Sequence, residues 1–406
     1  MYRRIAFVVP LAFLCAAGSA ESQTTLTVDR VLELVQRQNP DVLLARARVL
    51  QAQGVLMTAR APLATNPDVD AFLGSRAGTT GRSAELEVSV LQRFEVAGQR
   101  GHRIAAATAG ASQQTFEVDA VTLQAQTAAL AALYRAVHAE EIRRVAQDAL
   151  SLAEEAVRAA QARYEAGETA ILDVNVARVE QARARREQLA AAARLEAAFG
   201  VLREVLALPP EEPLRVEIPF RTPEVQALDA LLSRLPERAD IRALTANVTQ
   251  GEAELRLAQA GRTPDLFGGV GFRREDGQPI AGVRLGLSLP VFQHQTGAMT
   301  AASARLSESR TALAARRRAL EARLRAAYTQ HAIAIKAADA ITATAVPLLE
   351  ENEALARESY QAGKIGLLEL LVIRREGFAA QREALDAQLE ASLAAIEVRG
   401  IAGIVR

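Results

Sequence analysis

The chain is short of the residues that most enzymes and stapled domains use. It has one cysteine and no tryptophan in 406 residues, and aromatics make up only 4%. Cys15 lies inside an N-terminal stretch that reads as a secretory signal peptide over 1–20: basic Arg3 and Arg4, an apolar run from Ile5 to Ala17, and the small residues Gly18-Ser19-Ala20. Leu14 stands where a lipid-attachment site wants a small residue, so no lipid anchor is expected. Cleavage after Ala20 leaves no thiol, which excludes a disulfide framework and cysteine chemistry. Charge of one sign is also missing. The 48 basic residues less Arg3 and Arg4, set against 48 acidic ones, give a net charge of about −2, so nothing favours nucleic acid as a partner. No uninterrupted apolar run of about 18 residues follows the signal, and no transmembrane helix is expected. A secreted chain of this kind is soluble or enters a membrane as β-strands.

Reactive motifs are absent too. No paired carboxylates mark a site and there is no Ser–His–Asp signature. Gly98 to Gly101 opens a helix without the lysine or the strand context of a phosphate loop. The four histidines, His102, His138, His294 and His331, lack ligand spacing. His138 and His331 hold similar places in two long helices, which duplication explains. No enzyme, no cofactor and no metal site is expected.

What the chain has is a long internal repeat. Tyr164-Glu165-Ala166-Gly167 and Ile171-Leu172-Asp173-Val174 recur as Tyr360-Gln361-Ala362-Gly363 and Leu367-Leu368-Glu369-Leu370. Pro67-Asp68-Val69 recurs as Pro264-Asp265-Leu266, and Pro40-Asp41-Val42 is echoed by Ala239-Asp240-Ile241. Offsets of about 196–199 residues are too long for a solenoid motif and mark a duplicated fold unit. The division is 21–207 for the first repeat, a proline-rich linker over 208–223 (Pro209, Pro210, Pro213, Pro219, Pro223 at its end) and 224–406 for the second.

Alanine, leucine, arginine and glutamate dominate, all strong helix formers. Gly98 to Ala166 contains no proline, and Phe116, Leu123, Leu130 and Val137 fall seven apart. From Thr296 to Ala362 the apolar series Leu306, Leu313, Leu320, Ala327, Ala334, Ile341, Leu348 and Leu355 keeps the same spacing, a coiled-coil seam with a bend expected at Pro347. At 1.5 Å per residue each helix reaches about 100 Å. Each ends at a glycine turn, Gly167 or Gly363, and a return helix follows, over about 170–206 and 366–401. The long helical hairpins thus cover about 98–207 and 296–402. Shorter helices precede the strands, near Val28 to Leu63 and Glu224 to Ala260, with breaks at Pro40 and Pro236.

Before each long helix the period drops to two. Leu86, Val88, Val90 and Phe94 alternate with Glu87, Ser89 and Arg93; Val283, Leu285, Leu287, Leu289 and Val291 alternate with Arg284, Gly286 and Ser288. Earlier strands at Val69–Gly74 and Leu266–Phe272 complete two β-hairpins, about 68–94 and 265–291. The polar segments 75–81 and 274–279 are expected to connect them. Phe72, Phe94, Phe267, Phe272 and Phe292 near strand ends suit an interfacial girdle. Four strands cannot close a barrel, and open edges are not tolerated in lipid. Other copies of the chain are therefore needed to complete the sheet.

The order of helix, hairpin, very long helix, glycine turn and return helix, repeated, resembles the TolC family of outer-membrane efflux channels over essentially the whole mature chain. Arg163-Tyr164-Glu165-Ala166-Gly167 through Leu172-Asp173-Val174, with its second copy, and Gly286-Leu287-Ser288-Leu289-Pro290-Val291-Phe292 with Gly297 carry the likeness. Phe94-Glu95-Val96-Ala97-Gly98-Gln99-Arg100-Gly101, then Arg103-Ile104-Ala105, resembles the heavy-metal-efflux (CzcC-like) branch, with Ala97 where a second glycine is usual and His294 where an arginine is frequent.

The resemblance implies a mainly α fold with a membrane β-barrel part: a homotrimer with one 12-stranded barrel in outer-membrane lipid and a 12-helix periplasmic tunnel. It implies a periplasmic adaptor (membrane fusion) protein and an inner-membrane resistance-nodulation-division pump as partners, with heavy-metal cations as cargo. It places adaptor docking at the tips, Ala166, Gly167 and Glu168 with Ala362, Gly363 and Lys364. It places a constriction at Glu369, with Asp173 as its counterpart and Val372 where a second acid is usual. A solvated first-turn glutamate explains Glu369 equally well. The alternatives are a drug or organic-solute channel of the same family, or a periplasmic coiled-coil structural or adaptor protein.

Overall fold

A computed structural model describes residues 24–405 apart from 79–80, 276–277, 290 and 293. The expected signal peptide, with Cys15, lies outside the described residues. In chain order, strand β1 (Thr24–Leu26) leads into helices α1 (Val28–Gln38) and α2 (Pro40–Ala59), then strands β2 (Asp68–Gly78) and β3 (Gly81–Phe94). Helix α3 (Gln99–Glu165) runs for 67 residues, and α4 (Ile171–Leu206) returns along it. Strand β4 (Leu214–Val216), the one-turn α5 (Leu228–Leu232) and α6 (Ala239–Ala260) follow. Strands β5 (Leu266–Glu275) and β6 (Gln278–Leu287) precede α7 (Thr296–Ala340), α8 (Val346–Gln361) and the return helix α9 (Leu367–Ala402).

Glycine stands at three ends of the long helices, while Gln295 caps the start of α7 at φ 59°. Gly98 caps α3 at φ 77°, and Gly167 and Gly363 follow α3 and α8 at φ 75° and 71°. A side chain meets no neighbour at any of the three, so the constraint is backbone conformation, which glycine alone adopts without strain.

The heptad seam of the second long helix holds only part of the way. Leu306, Leu320 and Ala327 are buried, with Leu324 and Ala338 on the same stripe, while Leu348 and Leu355 are exposed. The cause is a π-helical turn over Ile341–Ala345 just before Pro347. The proline ring has no N–H and crowds the preceding turn. The wider turn takes in one extra residue, which advances the stripe by one position. Below it Ala356 is buried in place of Leu355. An 18-residue window within Thr296–Gln361 reaches a mean hydropathy of 1.5, enough by length and composition for a membrane span. The absence of an unbroken apolar run therefore does not extend to averaged hydropathy. Only 6% of that window is buried within the chain, although α7 as a whole runs along α9.

Four strands form one antiparallel sheet in the order β2-β3-β5-β6. The segments expected as loops are largely strand: β2 and β3 pair as far as Gly78 and Gly81, β5 and β6 as far as Glu275 and Gln278. The last strand ends at Leu287, short of the expected Val291. Register sets the two faces. Val69, Val90, Val270 and Val283 form a continuous cross-strand row, and all four are exposed. The other face is ionic. Arg76 pairs with Glu85 at 2.6 Å and Glu275 at 2.8 Å, and Arg273 with Glu275 at 3.0 Å. Arg284 of β6 reaches Glu87 of β3 by lying across Gly271 of β5. The aromatic girdle is thinner than expected. Phe72 stands opposite Glu87 on the ionic face, and Phe267 lies under Arg93 at 5.9 Å, which leaves Phe94 and Phe272 on the apolar face. Phe292 lies outside the strands and is exposed.

A second, two-stranded sheet was not legible in the sequence. Thr24–Leu26 pairs in parallel with Leu214–Val216, inside the proline-rich linker. Three-residue strands are too short to show alternation. The pair closes the largest apolar core, where Leu26, Val31 and Val35 pack against Leu133, Leu202 and Leu206.

Candidate functional site

The two hairpin tips are built alike. At the first, the Gly167 N–H donates to the Tyr164 carbonyl at 2.9 Å and the Glu168 N–H to the Arg163 carbonyl at 2.8 Å. At the second, Gly363 donates to Tyr360 at 3.0 Å and Lys364 to Ser359 at 2.8 Å. Both are Schellman closures, which use the last free carbonyls of a helix and need a left-handed residue just past its end. Ala166 and Ala362 are the capping residues, and both are exposed beside the turn, as are Gly167, Glu168, Gly363 and Lys364.

The tips also hold each other. Ala156, Ala160, Val174 and Ala177 of the first hairpin pack against Leu367 and Leu371 of the second. The Arg163 guanidinium lies 5.3 Å from the Tyr360 ring centre, and Arg163 also approaches Glu168 at 3.5 Å. Nothing in the residue pattern signals this link, because repeat matching aligns Tyr360 with Tyr164 rather than opposing it to Arg163.

Asp173 and Glu369 hold equivalent places, in the first turns of α4 and α9. Negative charge is favoured there by the helix dipole. The Gly366 N–H donates to the Glu369 carboxylate at 3.1 Å, so Glu369 does cap its helix. Its side chain is nevertheless exposed, and the cap uses one of its two oxygens. Asp173 is half-buried and accepts from the Thr169 hydroxyl. Val372 is exposed one turn beyond Leu368.

The stretch Glu95 to Arg103 is a structural knot. Arg103 pairs with Glu95 at 2.5 Å, and Gln99 donates to Asp265 at 3.0 Å. Arg93 donates to the same carboxylate at 2.7 Å, and Arg100 to the carbonyls of Arg60 and Ala61 at 2.9 and 3.1 Å. One cluster therefore ties the end of β3, the start of α3, the end of α2 and the start of β5.

The histidines are apart. His138 contacts Asp386 at 2.7 Å and lies against Phe220, while His331 is buried in the seam. Burial pushes the His331 imidazole below its ordinary range, opposed by a backbone hydrogen bond at Ala391. Among the described residues no three His, Cys, Asp or Glu side chains gather where they could hold a metal ion.

A sheet with one apolar and one ionic face, mounted on paired helical rods far longer than a bilayer is thick, defines a membrane-anchored conduit protein. The model of the family described as outer membrane efflux protein matches residues 31–208 and again 231–404. The chain belongs to that family, whose place is the bacterial outer membrane with extension into the periplasm. It is 25% identical over 367 residues to the cobalt-zinc-cadmium resistance protein CzcC of Cupriavidus metallidurans, covering 89% of this chain and 86% of that protein. Among solved structures it is similar to CusC, with a TM-score of 0.75 and 16% identity over 100% of this chain and 99% of that one. It is likewise similar to the open state of the Neisseria gonorrhoeae MtrE outer membrane channel, with a TM-score of 0.77 and 20% identity over 93% and 89%. The efflux fold and the family are thus established.

Proposed function

We propose that three copies of this chain form the outer-membrane conduit of a tripartite efflux pump that exports heavy-metal cations, docked to a periplasmic adaptor and an inner-membrane resistance-nodulation-division pump. The unclosed sheet carries the reading. Among the described residues, strands β2 and β6 are the edges of the sheet, with no strand beyond either. Such edges are not stable in lipid, and single-chain barrels begin at about eight strands. Three copies of a four-stranded sheet give twelve strands, with the valine row toward lipid and the ionic face toward the lumen. The metal assignment rests on the similarity to the cobalt-zinc-cadmium resistance protein. The test has two arms. Detergent-extracted protein should have the mass of three chains by light scattering; a stable monomer in the soluble periplasm overturns the assembly. Deleting the gene should raise sensitivity to zinc, cobalt or cadmium. Unchanged metal tolerance with raised drug sensitivity assigns the cargo to organic solutes instead.

Glu369 is the proposed constriction, with Asp173 as a weaker contributor because Thr169 already engages it. Three copies place three Glu369 carboxylates around one axis, and rings of acids favour cations. Glu369→Gln keeps an oxygen to accept from Gly366, so the helix cap survives while the charge is lost. Single-channel recordings at low salt should show the cation-to-anion ratio falling by a factor of about 2–5. An unaltered ratio means that Glu369 faces away from the lumen.

A further inference from the structure

Each return helix ends against the start of a sheet-side helix, and side chains bridge each joint. Asn39 and Arg238 directly precede the aligned segments beginning at Pro40 and Ala239, so they hold the same place in the duplicated unit. Asn39 is 6% exposed; its amide donates to the Val205 carbonyl at the end of α4 at 3.0 Å. Its Oδ1 accepts from Asp41 at 3.0 Å and Val42 at 3.3 Å in the first turn of α2. Gln38 adds a bond to the Leu206 carbonyl at 2.8 Å.

Arg238 does the same work with a charge. Its Nη1 donates to the carbonyls of Gly400, at 2.8 Å, and Ile401, at the end of α9. Its Nε donates to Asp240 in the first turn of α6 at 2.9 Å. Arg316 of α7 donates to Asp240 as well, at 2.8 Å, and Asp240 also accepts from the Ile241 N–H at 3.1 Å. One half-buried guanidinium thus binds carbonyls at one helix end and a carboxylate at the start of the next.

We propose that Arg238 is a positioning residue that clamps α9 to α6 and so sets the angle of the second hairpin and the place of its Gly363 tip, as Asn39 does for α4, α2 and the Gly167 tip. The leverage is large. Helix α9 has 36 residues, about 54 Å, so each degree of swing at the joint moves the tip by about 1 Å. The long helices α3 and α7 run past the joints without a break there, so each clamp acts at the base of a return helix.

The natural absence of cysteine after Cys15 makes the test clean. Gln147→Cys on α3 and Leu368→Cys at the tip end of α9, both exposed, take spin labels. Full-length protein is co-expressed with an excess of unlabelled chain, so that observed pairs lie within one copy. Double electron–electron resonance should give a narrow distance distribution with Arg238 in place and one broadened by roughly 5 Å or more, for about 5° of play, in Arg238→Gln. Arg238→Lys, which retains charge and a donor, should recover part of the width, and Asn39→Ala should leave this pair unchanged. If Arg238→Gln does not assemble, Asp240→Asn removes the ionic half of the clamp and should broaden the distribution in its place. A wild-type distribution in the Arg238 variant, or in Asp240→Asn where that stands in, overturns the proposal. Equal broadening by Asn39→Ala overturns it too, because it would mean general loosening.

Discussion

Gly269→Ala is expected to lower the amount of protein in the outer membrane by about tenfold or more. Gly269 lies in β5 opposite Leu91 of β3, where the two hairpins join. A Cβ there overlaps the Val90 carbonyl oxygen and approaches Leu91 Cδ2 at 2.8 Å and Leu91 Cα at 3.1 Å. Two of these obstacles are backbone, so no rotamer change relieves them. Overpacking of this kind costs about 3 kcal/mol or more, and even 1–2 kcal/mol changes cellular abundance several-fold. The loss should be local to the β3–β5 ladder, since β2–β3 and β5–β6 pair independently of it. Gly282→Ala is the control: it lies in β6 with no neighbour in the way. Immunoblots of outer-membrane fractions report the result, and wild-type levels of Gly269→Ala would show that the strands can separate there at little expense.

The second large effect belongs to the tips. Ala166→Glu with Ala362→Glu should abolish efflux while leaving assembly intact. Both alanines are exposed and sit at the end of a helix, where an added negative charge opposes the dipole by only about 0.5 kcal/mol. The glycines that need φ 75° and 71° are untouched. A partner that buries these turns meets an unpaired carboxylate at each, which costs about 2 kcal/mol or more per contact, roughly thirtyfold in affinity. The expected signature is normal assembly, no adaptor cross-link and no resistance. Wild-type cross-linking and resistance would place docking elsewhere on the helices and leave the tips as turns.

The sequence by itself determined the helical hairpins and the existence of the strands, because those depend on local rules. Seven-residue spacing, an unbroken run of helix formers and a glycine where a left-handed residue is needed place α3 within a residue of its expected ends at Gly98 and Ala166. Alternation likewise identified the strands around Val88 and Leu285. The TolC-family likeness was legible for the same reason, since its sharpest residues are the tip turns themselves. What failed was whatever depends on a partner distant in sequence. The pairing of Thr24–Leu26 with Leu214–Val216 leaves no periodic trace in three residues.

The stripe below Pro347 could not be phased by spacing, because a π turn inserts a residue that a heptad count ignores. Phe72 and Phe267 suit a girdle as aromatics near strand ends, but strand register turns them to the ionic face. Pro40 marks a break in the sequence, but the bridging role of Asn39 beside it, like that of Arg238, appears only in the structure. Only the folded chain brings the end of α9 to Arg238, and a half-buried arginine acquires its role from the carbonyls and carboxylate that tertiary packing delivers.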